Sequence, residues 1–328
     1  MSRRTDPRRA IPYAVGLALL VLVPWVLGEY TVATFSRILV FAVLAMSVNL
    51  LTGIAGLPTL GQSAYFGVGA YTGALVAINV SAVGLLQLLI ATAAGAVAAA
   101  VTGPVAVRAR GVPFLMITLA IGEIAYFAAG RLEGITRGSD GLSGVPPLVF
   151  APGGEGTVNE GLVYYYVLAV FLLLFVLIHV LLRSPFGLTL RGLRDNEPRL
   201  RAIGYRTTRY ALVAYVIAGA VAGASGSLWT TAQRFVAPGD MGFDVAALAL
   251  LAVIIGGVGS MWGACVGAAL VVLTRDYLGG MLAGRGPLLL GILFVLTVYL
   301  LPQGIAGTID AIRRVRGRRA RRGREVAA

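Results

Sequence analysis

The sequence holds few side chains that could do chemistry. It has one histidine, His179, and one cysteine, Cys265, and its histidine, cysteine and acidic residues form no cluster with metal-ligand spacing. No nucleophile has a base near it in the sequence, and no Walker A motif is present, so the chain has no phosphate loop for hydrolysing ATP. We therefore predict a protein that is not an enzyme and that binds neither a metal nor a cofactor of its own.

The densest group of charged residues lies in the segment 183–209, which reads RSPFGLTLRGLRDNEPRLRAIGYRTTR. We call this stretch the arginine segment, because its seven arginines stand against two acidic residues, Asp195 and Glu197. Long apolar runs flank it on both sides. An excess of arginine in a loop between membrane spans predicts that the loop lies on the cytoplasmic face.

The arginine segment also has the pattern of two short amphipathic helices. The pair Ser184 and Pro185 suits a helix start, because proline at the first helical position needs no N–H. Asp195 or Asn196 can cap the second helix, and Gly204 suits its C-terminal end. Two uses of such helices stay open: docking into a cleft of a soluble partner, or lying on anionic lipid at the membrane surface.

The elements on either side of the arginine segment must be membrane helices. Hydrophobic residues make up 58% of the chain and charged residues 12%, and several apolar runs reach the roughly 20 residues needed to cross a bilayer. The net charge of +13 comes from arginines that cluster in the two tails and in the arginine segment. This clustering follows the positive-inside rule and favours contact with membrane lipid, so we predict no binding of nucleic acid.

The predicted fold is an all-α polytopic transmembrane bundle with about ten crossing or half-crossing segments and both termini in the cytoplasm. A membrane domain, 11–305, lies between basic tails at 1–10 and 306–328, and its external loop is 131–161. Uninterrupted spans are predicted at 11–28, 32–51, 83–107, 112–130, 162–182, 211–231 and 287–301. Two further apolar stretches, 53–75 and 245–274, are broken by glycines, and the second either crosses twice or re-enters.

The two broken stretches are candidates for a transport path. A break leaves backbone groups unpaired, which a membrane tolerates only inside protein or beside water, and in transporters such breaks mark binding sites. A short loop before a glycine-rich packing helix is the alternative for 53–75. Glu123 either lines a path or locks helices together, or it is a buried glutamate that is protonated or hydrogen-bonded to a neighbouring helix. The path candidates are Asn49, Gly56, Pro58, Gly61, Gln62, Ser63, Glu123, Gly256, Gly257 and Gly259.

The spans contain few charged residues, which argues against a pump coupled to ions or protons. A largely neutral path suits a small neutral or zwitterionic solute. The remaining alternative of another class is a stand-alone secondary carrier or channel.

Four stretches resemble the LivM-type permeases of ABC importers for branched-chain amino acids. They are 56–71, 114–146, 256–268 and the arginine segment with the helix that follows it. The matching positions in the last stretch are Ser184, Phe186, Gly187, Arg194, Asn196, Glu197, Ala202, Gly204, Ala214, Ala222, Gly223 and Gly226. Asp195, Pro198 and the pair Leu188-Thr189 depart from the family pattern. The resemblance covers about residues 49–301.

The resemblance implies a permease subunit in a bacterial cytoplasmic membrane, one half of a heterodimer with a LivH-like permease. It also implies two cytoplasmic ATPase subunits, which bind the ATP, and an extracytoplasmic solute-binding protein. Branched-chain amino acids are the implied cargo, with urea or short amides as the alternative. The residues that would couple the chain to the ATPases are Ser184, Phe186, Gly187, Arg191, Leu193, Arg194, Asp195, Asn196, Glu197, Ala202 and Gly204.

Overall fold

The structure is a computed structural model that describes residues 28–150 and 156–278, with 16, 18, 20–26, 288, 291–292, 295–296, 299 and 304–308. Within these residues the chain is helical, and its extended contacts are isolated bridges that form no sheet. The all-α prediction is therefore confirmed. Most of the predicted first and last spans, and the tails apart from residues 306–308, lie outside the described residues.

The helices follow the apolar runs of the sequence closely. The first, α1, is Glu29–Asn49, and its last turns widen into a π-helix at Leu50–Ala55. The others are α2 Gln62–Asn79, α3 Gly84–Ala106, α4 Val112–Arg131, α5 Glu133–Thr136, α6 Glu160–Arg183, α7 Pro185–Ala202, α8 Thr207–Gln233, α9 Phe243–Gly256 and α10 Met261–Leu273.

Among the described residues, six helical stretches are long and apolar enough to cross a membrane. They are Glu29–Ala55, Gly84–Ala106, Val112–Arg131, Glu160–Arg183, Thr207–Gln233 and Pro238–Gly256. The chain is thus built as a multi-pass membrane protein, as predicted. The finer topology, with ten segments and both termini cytoplasmic, stays a prediction.

Helix α8 packs against five other helices of the described chain, α1, α2, α3, α6 and α7. Gly219 and Gly223 bring it against the backbone of α3 at Gly95. On another side, Gly226 lies against the backbone of α2 at Phe66. Small residues permit this close approach, which replaces the hydrophobic driving force that is missing between helices in lipid.

Replacing Gly226 by valine is expected to destabilise the bundle by about 3 kcal/mol or more, the upper end of overpacking costs. The reason is that a Cβ there would lie 1.9 Å from the carbonyl oxygen of Phe66 and 2.5 Å from the backbone nitrogen of Ala70. Thermal unfolding of the detergent-solubilised protein measures the effect. Gly130→Val in α4 is the matched control, because nothing lies within 4 Å of its Cβ. Equal stability of the two variants would contradict this packing.

At each end of the bundle, loops from different parts of the chain contact one another. At one end, which we call the basic end, the arginine segment meets the loop between α3 and α4 and the π-helix after α1. At the opposite end, the predicted external loop lies over the bundle through backbone bonds. Leu142 pairs with Val236 after α8, and Val149 pairs with Val83 before α3.

The stretch 245–274 is a helical hairpin. Helices α9 and α10 have 14 and 13 residues and lie in direct backbone contact, with Gly256 near Gly263 and Ala252 near Gly267. Each helix is therefore about 20 Å long, less than a hydrocarbon core of about 30 Å. The turn of the hairpin, residues 257–260, lies at the basic end beside Asn49.

An ion pair connects the far end of this hairpin to α1. Arg37 donates to the carboxylate of Asp276 at 3.1 Å, and both side chains are largely buried. Because a buried charge without a partner is costly, this pair explains how a membrane helix can carry an arginine two turns from its start.

Candidate functional site

The first helix of the arginine segment begins at the predicted pair. Ser184 has extended backbone angles and Pro185 occupies the first helical position. The hydroxyl of Ser184 does not cap the new helix, however. It donates at 2.7 Å to the carbonyl of Leu181 in α6, so it holds the corner between the two helices.

The second helix starts at a kink inside α7. Asn196 breaks the helical backbone with φ −161° and ψ 88°, and its side-chain oxygen accepts the N–H of Arg199 at 3.0 Å. The cap is therefore Asn196. The sequence alone did not decide between Asn196 and Asp195. Gly204 ends this helix at φ 90°, and the N–H of Tyr205 donates to the carbonyl of Leu200, which completes a Schellman motif.

The first helix has one buried face and one exposed face. Leu190 and Leu193 pack into the bundle together with Gly187, whose Cα approaches the backbone of Leu182 so closely that a Cβ would meet it at about 2.5 Å. Leu188 and Arg191 point away from the bundle and are exposed. The aromatic ring of Phe186 stacks on Tyr210 of α8, and Ala202 is exposed.

Glu197 is the main electrostatic link between the arginine segment and the rest of the chain. Arg110, from the loop between α3 and α4, donates to its two carboxylate oxygens at 2.8 and 3.1 Å. Arg201 donates to the same carboxylate at 2.7 Å, and the hydroxyl of Thr207 at the start of α8 donates at 2.9 Å. Glu197 thus holds two loops and the first turn of α8 in one arrangement.

This environment lowers the pKa of the Glu197 carboxyl to about 2, mainly through the hydrogen bonds from Arg110, although partial burial opposes the shift. The ionised form is therefore the one that the site stabilises.

Arg194 connects the arginine segment to the first helix break. Its guanidinium donates to the carbonyl of Gly53 in the π-helix. The stem of the side chain lies against Gly56, whose left-handed backbone (φ 73°) ends that helix and whose missing Cβ leaves the room for it. Arg194 also reaches Gly259 in the second break.

Threonine hydroxyls satisfy the N–H groups exposed by the first break. The N–H of Thr59 donates to the hydroxyl of Thr52, and the N–H of Gly61 donates to the hydroxyl of Thr59. The N–H of Leu60 donates at 3.2 Å to the hydroxyl of Thr118 in α4. These bonds show how an irregular backbone inside the bundle keeps its donors paired.

The two breaks meet at Asn49. Its side-chain oxygen accepts the N–H of Gly259 at 2.9 Å, and its amide nitrogen contacts the sulfur of Met261. Gly257 and Gly259 have positive φ angles of 110° and 91°, which a residue with a Cβ rarely adopts. The contacts of Arg194, Asn49 and Gly259 define one junction, which we call the break junction.

The other path candidates lie in or just after the first break, in the hairpin and on α4. Gln62 and Ser63 are 1% and 2% exposed at the start of α2, and Pro58 is half-buried before them. Gly61 packs on Thr118, and Gly256 packs inside the hairpin. Glu123 is half-buried on α4, and among the described residues it has no ion pair or hydrogen bond.

Residue types and spacing did not reveal two of the most connected residues, Arg110 and Thr118. The sequence feature that points to such a contact is the excess of arginine around Glu197, because a carboxylate among arginines in a loop is expected to form several ion pairs.

A bundle of membrane helices with two broken segments, joined to a charged polar segment at one end, is the architecture of a membrane transport protein and not of a soluble enzyme. Sequence comparison gives the family. Residues 30–300 match the family model for the permease component of the branched-chain amino acid transport system.

Individual relatives agree with this family. The chain is 30% identical to the high-affinity branched-chain amino acid transport permease LivM of Escherichia coli (strain K12), over 88% of this chain and 73% of that protein. It is 29% identical to LivM of Salmonella typhimurium over the same shares. It is also 27% identical to a probable LivH of Methanocaldococcus jannaschii, over 83% of this chain and 90% of that one. No solved structure matches the chain.

The chain therefore belongs to the branched-chain amino acid permease family of ABC transport systems. It is the multi-pass membrane component, which is not itself catalytic. The predicted class, an importer permease and not a stand-alone carrier or a membrane enzyme, is confirmed.

Proposed function

We propose that this chain forms one half of the translocation path for branched-chain amino acids, paired with a second, LivH-like permease. Two ATPase subunits bind at the basic end, which faces the cytoplasm, and a solute-binding protein delivers the solute at the opposite end. Both termini are cytoplasmic, the membrane domain makes about ten crossings or half-crossings, and the basic tails contact anionic lipid.

The observation that carries this proposal is the physical connection between the arginine segment and both helix breaks. Arg194 bonds to the backbone of the first break and reaches the second, while Glu197 ties the same segment to Arg110 and Thr207. A force applied to the arginine segment would thus reach the interior of the bundle through direct contacts. A segment that merely lies on lipid needs no such connection.

The exposed face of the first helix of α7 supports a docking role. Leu188 is 62% exposed and Arg191 is exposed beside it, one turn along the same face. An apolar side chain next to an exposed cation suits a cleft of a soluble partner that has an apolar floor and acidic rim. Arg194 and Glu197, in contrast, bond within the chain, so they are better suited to positioning this helix than to touching the partner.

The double variant Leu188→Asp with Arg191→Glu is expected to reduce co-purification of the ATPase subunits at least about tenfold, because it places two negative charges on the docking face. Pull-down of the solubilised complex through a tag on this chain measures the effect. Membrane insertion should be normal, since neither side chain is buried.

Arg131→Glu, an exposed charge reversal at the last residue of α4, is the matched control and should leave ATPase binding unchanged. If the double variant recovered as much ATPase as the control, this face would not be the docking surface.

A further inference from the structure

A second group of residues beside the first break has features that the proposed coupling role does not use. Gln62 is the first residue of α2, and the Cα–Cβ bonds of a helix are tilted toward its N-terminus. The N-terminus of this 18-residue helix carries the positive end of the helix dipole and backbone N–H groups without helical partners.

The side-chain amide of Gln62 at this helix start is buried and unpartnered among the described residues. The Gln62 side chain is 1% exposed, and within the described part of the chain neither its amide nitrogen nor its amide oxygen has a hydrogen-bond partner. Ser63 is 2% exposed, and among the described residues neither its hydroxyl nor the N–H groups of Gln62 and Ser63 have an acceptor. Buried polar groups are normally paired, so this concentration calls for a ligand.

The N–H donors before Gln62, in contrast, are paired. The N–H groups of Thr59, Leu60 and Gly61 each donate to a threonine hydroxyl. The chain therefore pairs every donor of the break up to Gly61, and the unpaired donors begin at Gln62.

Acceptors lie beside these donors. The carbonyl oxygen of Leu60 and the hydroxyl of Ser63 both face Gly122 of α4, at 3.7 and 3.8 Å from the position that a Cβ of Gly122 would occupy. Gly122 is itself buried, and its missing side chain leaves room next to both groups. The site thus offers N–H and hydroxyl donors at a helix N-terminus, with a carbonyl oxygen and the Gln62 amide oxygen as acceptors.

We propose that this site binds the zwitterionic head group of an α-amino acid on its way through the chain. The carboxylate lies against the N–H groups of Gln62 and Ser63, where the helix N-terminus favours an anion. The ammonium donates to the carbonyl of Leu60 and to the Gln62 amide oxygen. This inference rests on the proposed function and deepens it, because it assigns the part of the solute that the permease recognises.

A site of this kind explains a neutral path. Recognition of the head group by backbone and uncharged side chains needs no buried charge of the protein, and it leaves the hydrophobic side chain of the solute unspecified. The amino acids that pass are then all those delivered to the path with free carboxylate and ammonium groups.

The test uses the whole transporter, with its second permease, ATPases and binding protein, in proteoliposomes with radiolabelled L-leucine as the probe. Gln62→Leu removes the amide oxygen that accepts from the solute ammonium, and Gly122→Leu fills the space beside Leu60 and Ser63. Both variants should lower uptake at least about tenfold, while ATP hydrolysis stimulated by the binding protein stays within about twofold of wild type.

Two controls match these changes. Gln87→Met removes another buried glutamine, which is 2% exposed near the start of α3, and Gly130→Leu adds the same bulk to α4 where nothing lies within 4 Å. Both should transport leucine at the wild-type rate. Equilibrium binding to the solubilised transporter gives a second readout, in which leucinamide, which lacks the carboxylate, competes at least about tenfold less well than leucine.

Wild-type uptake in Gln62→Leu and Gly122→Leu would overturn the proposed site, and so would leucinamide competing as well as leucine. A Gln62→Met variant that unfolds at a lower temperature but transports normally would show a structural water at Gln62 and would equally overturn it. Failure of the wild-type transporter to accumulate leucine with ATP and binding protein would instead contradict the proposed function, so the two failures are distinguishable.

Discussion

Replacing Glu197 by glutamine should reduce ATP-driven leucine uptake at least about tenfold, with the protein still inserted in the membrane. The carboxylate accepts bonds from Arg110, Arg201 and Thr207, and only the charged form can serve both guanidinium groups. Removing one partner of such a set leaves the others unsatisfied, which costs about 1–3 kcal/mol per group. The arginine segment would then lose its fixed position relative to α8.

Arg110→Gln is expected to have the same effect from the other side of the ion pair. If the two residues act through each other, the double variant Arg110→Gln with Glu197→Gln should lose no more uptake than either single variant. Glu133→Gln, which removes an exposed carboxylate near the end of α4, is the matched control. Additive losses in the double variant would show that Glu197 acts without Arg110.

The pH dependence of stability provides an independent check on this ion pair. The folded-state pKa of Glu197 lies at about 2, below its ordinary value of 4.5. A carboxyl with a lowered pKa contributes stability that is complete above its unfolded pKa and is lost as the pH falls through the folded value. The stability difference between wild type and Glu197→Gln should therefore be constant from pH 8 to about pH 5 and shrink toward pH 2.

Local signals in the sequence were enough to predict the two helices of the arginine segment. Proline at a helix start, an Asx cap and a terminal glycine act over a few residues, and each is found at Pro185, Asn196 and Gly204. Asp195 and Asn196 are equivalent as caps by type. The kink in the folded chain lies at Asn196, which is therefore the residue that caps the second helix.

The contacts that connect the arginine segment to the rest of the bundle could not be predicted in this way. Arg110 and Glu197 are 87 residues apart, and Arg194 and Gly53 are 141 apart. Neither pair is related by helix or strand periodicity. The sequence therefore reveals the helix breaks and the charged residues, but it does not reveal that they are in contact. Their juxtaposition follows from how α8 gathers α1, α2 and α3, which depends on backbone contacts at glycines.

Replacing Gly53 by alanine is the second substitution for which we expect a large loss of uptake. A Cβ at Gly53 would lie 2.1 Å from the side-chain oxygen of Asn49 and 2.4 Å from the backbone nitrogen of Gly259. Gly53→Ala must therefore displace the bond between Asn49 and Gly259, the contact that joins the two breaks. We expect uptake to fall at least about tenfold, with the ATPases still bound and their activity no longer stimulated by the binding protein.

Asn49→Leu should reproduce this uncoupling without adding a clash, because it removes the acceptor of the Gly259 N–H and leaves that donor buried, at a cost of about 1–3 kcal/mol. Gly130→Ala, with open space around its Cβ, is the control for adding a methyl group to a membrane helix. The essential comparison is between ATPase binding and ATPase stimulation. If the break junction transmits the motion of the arginine segment, binding persists while stimulation and uptake are lost together. If Gly53→Ala and Asn49→Leu transport normally, the two breaks move independently, and the connection through Arg194 has no part in transport.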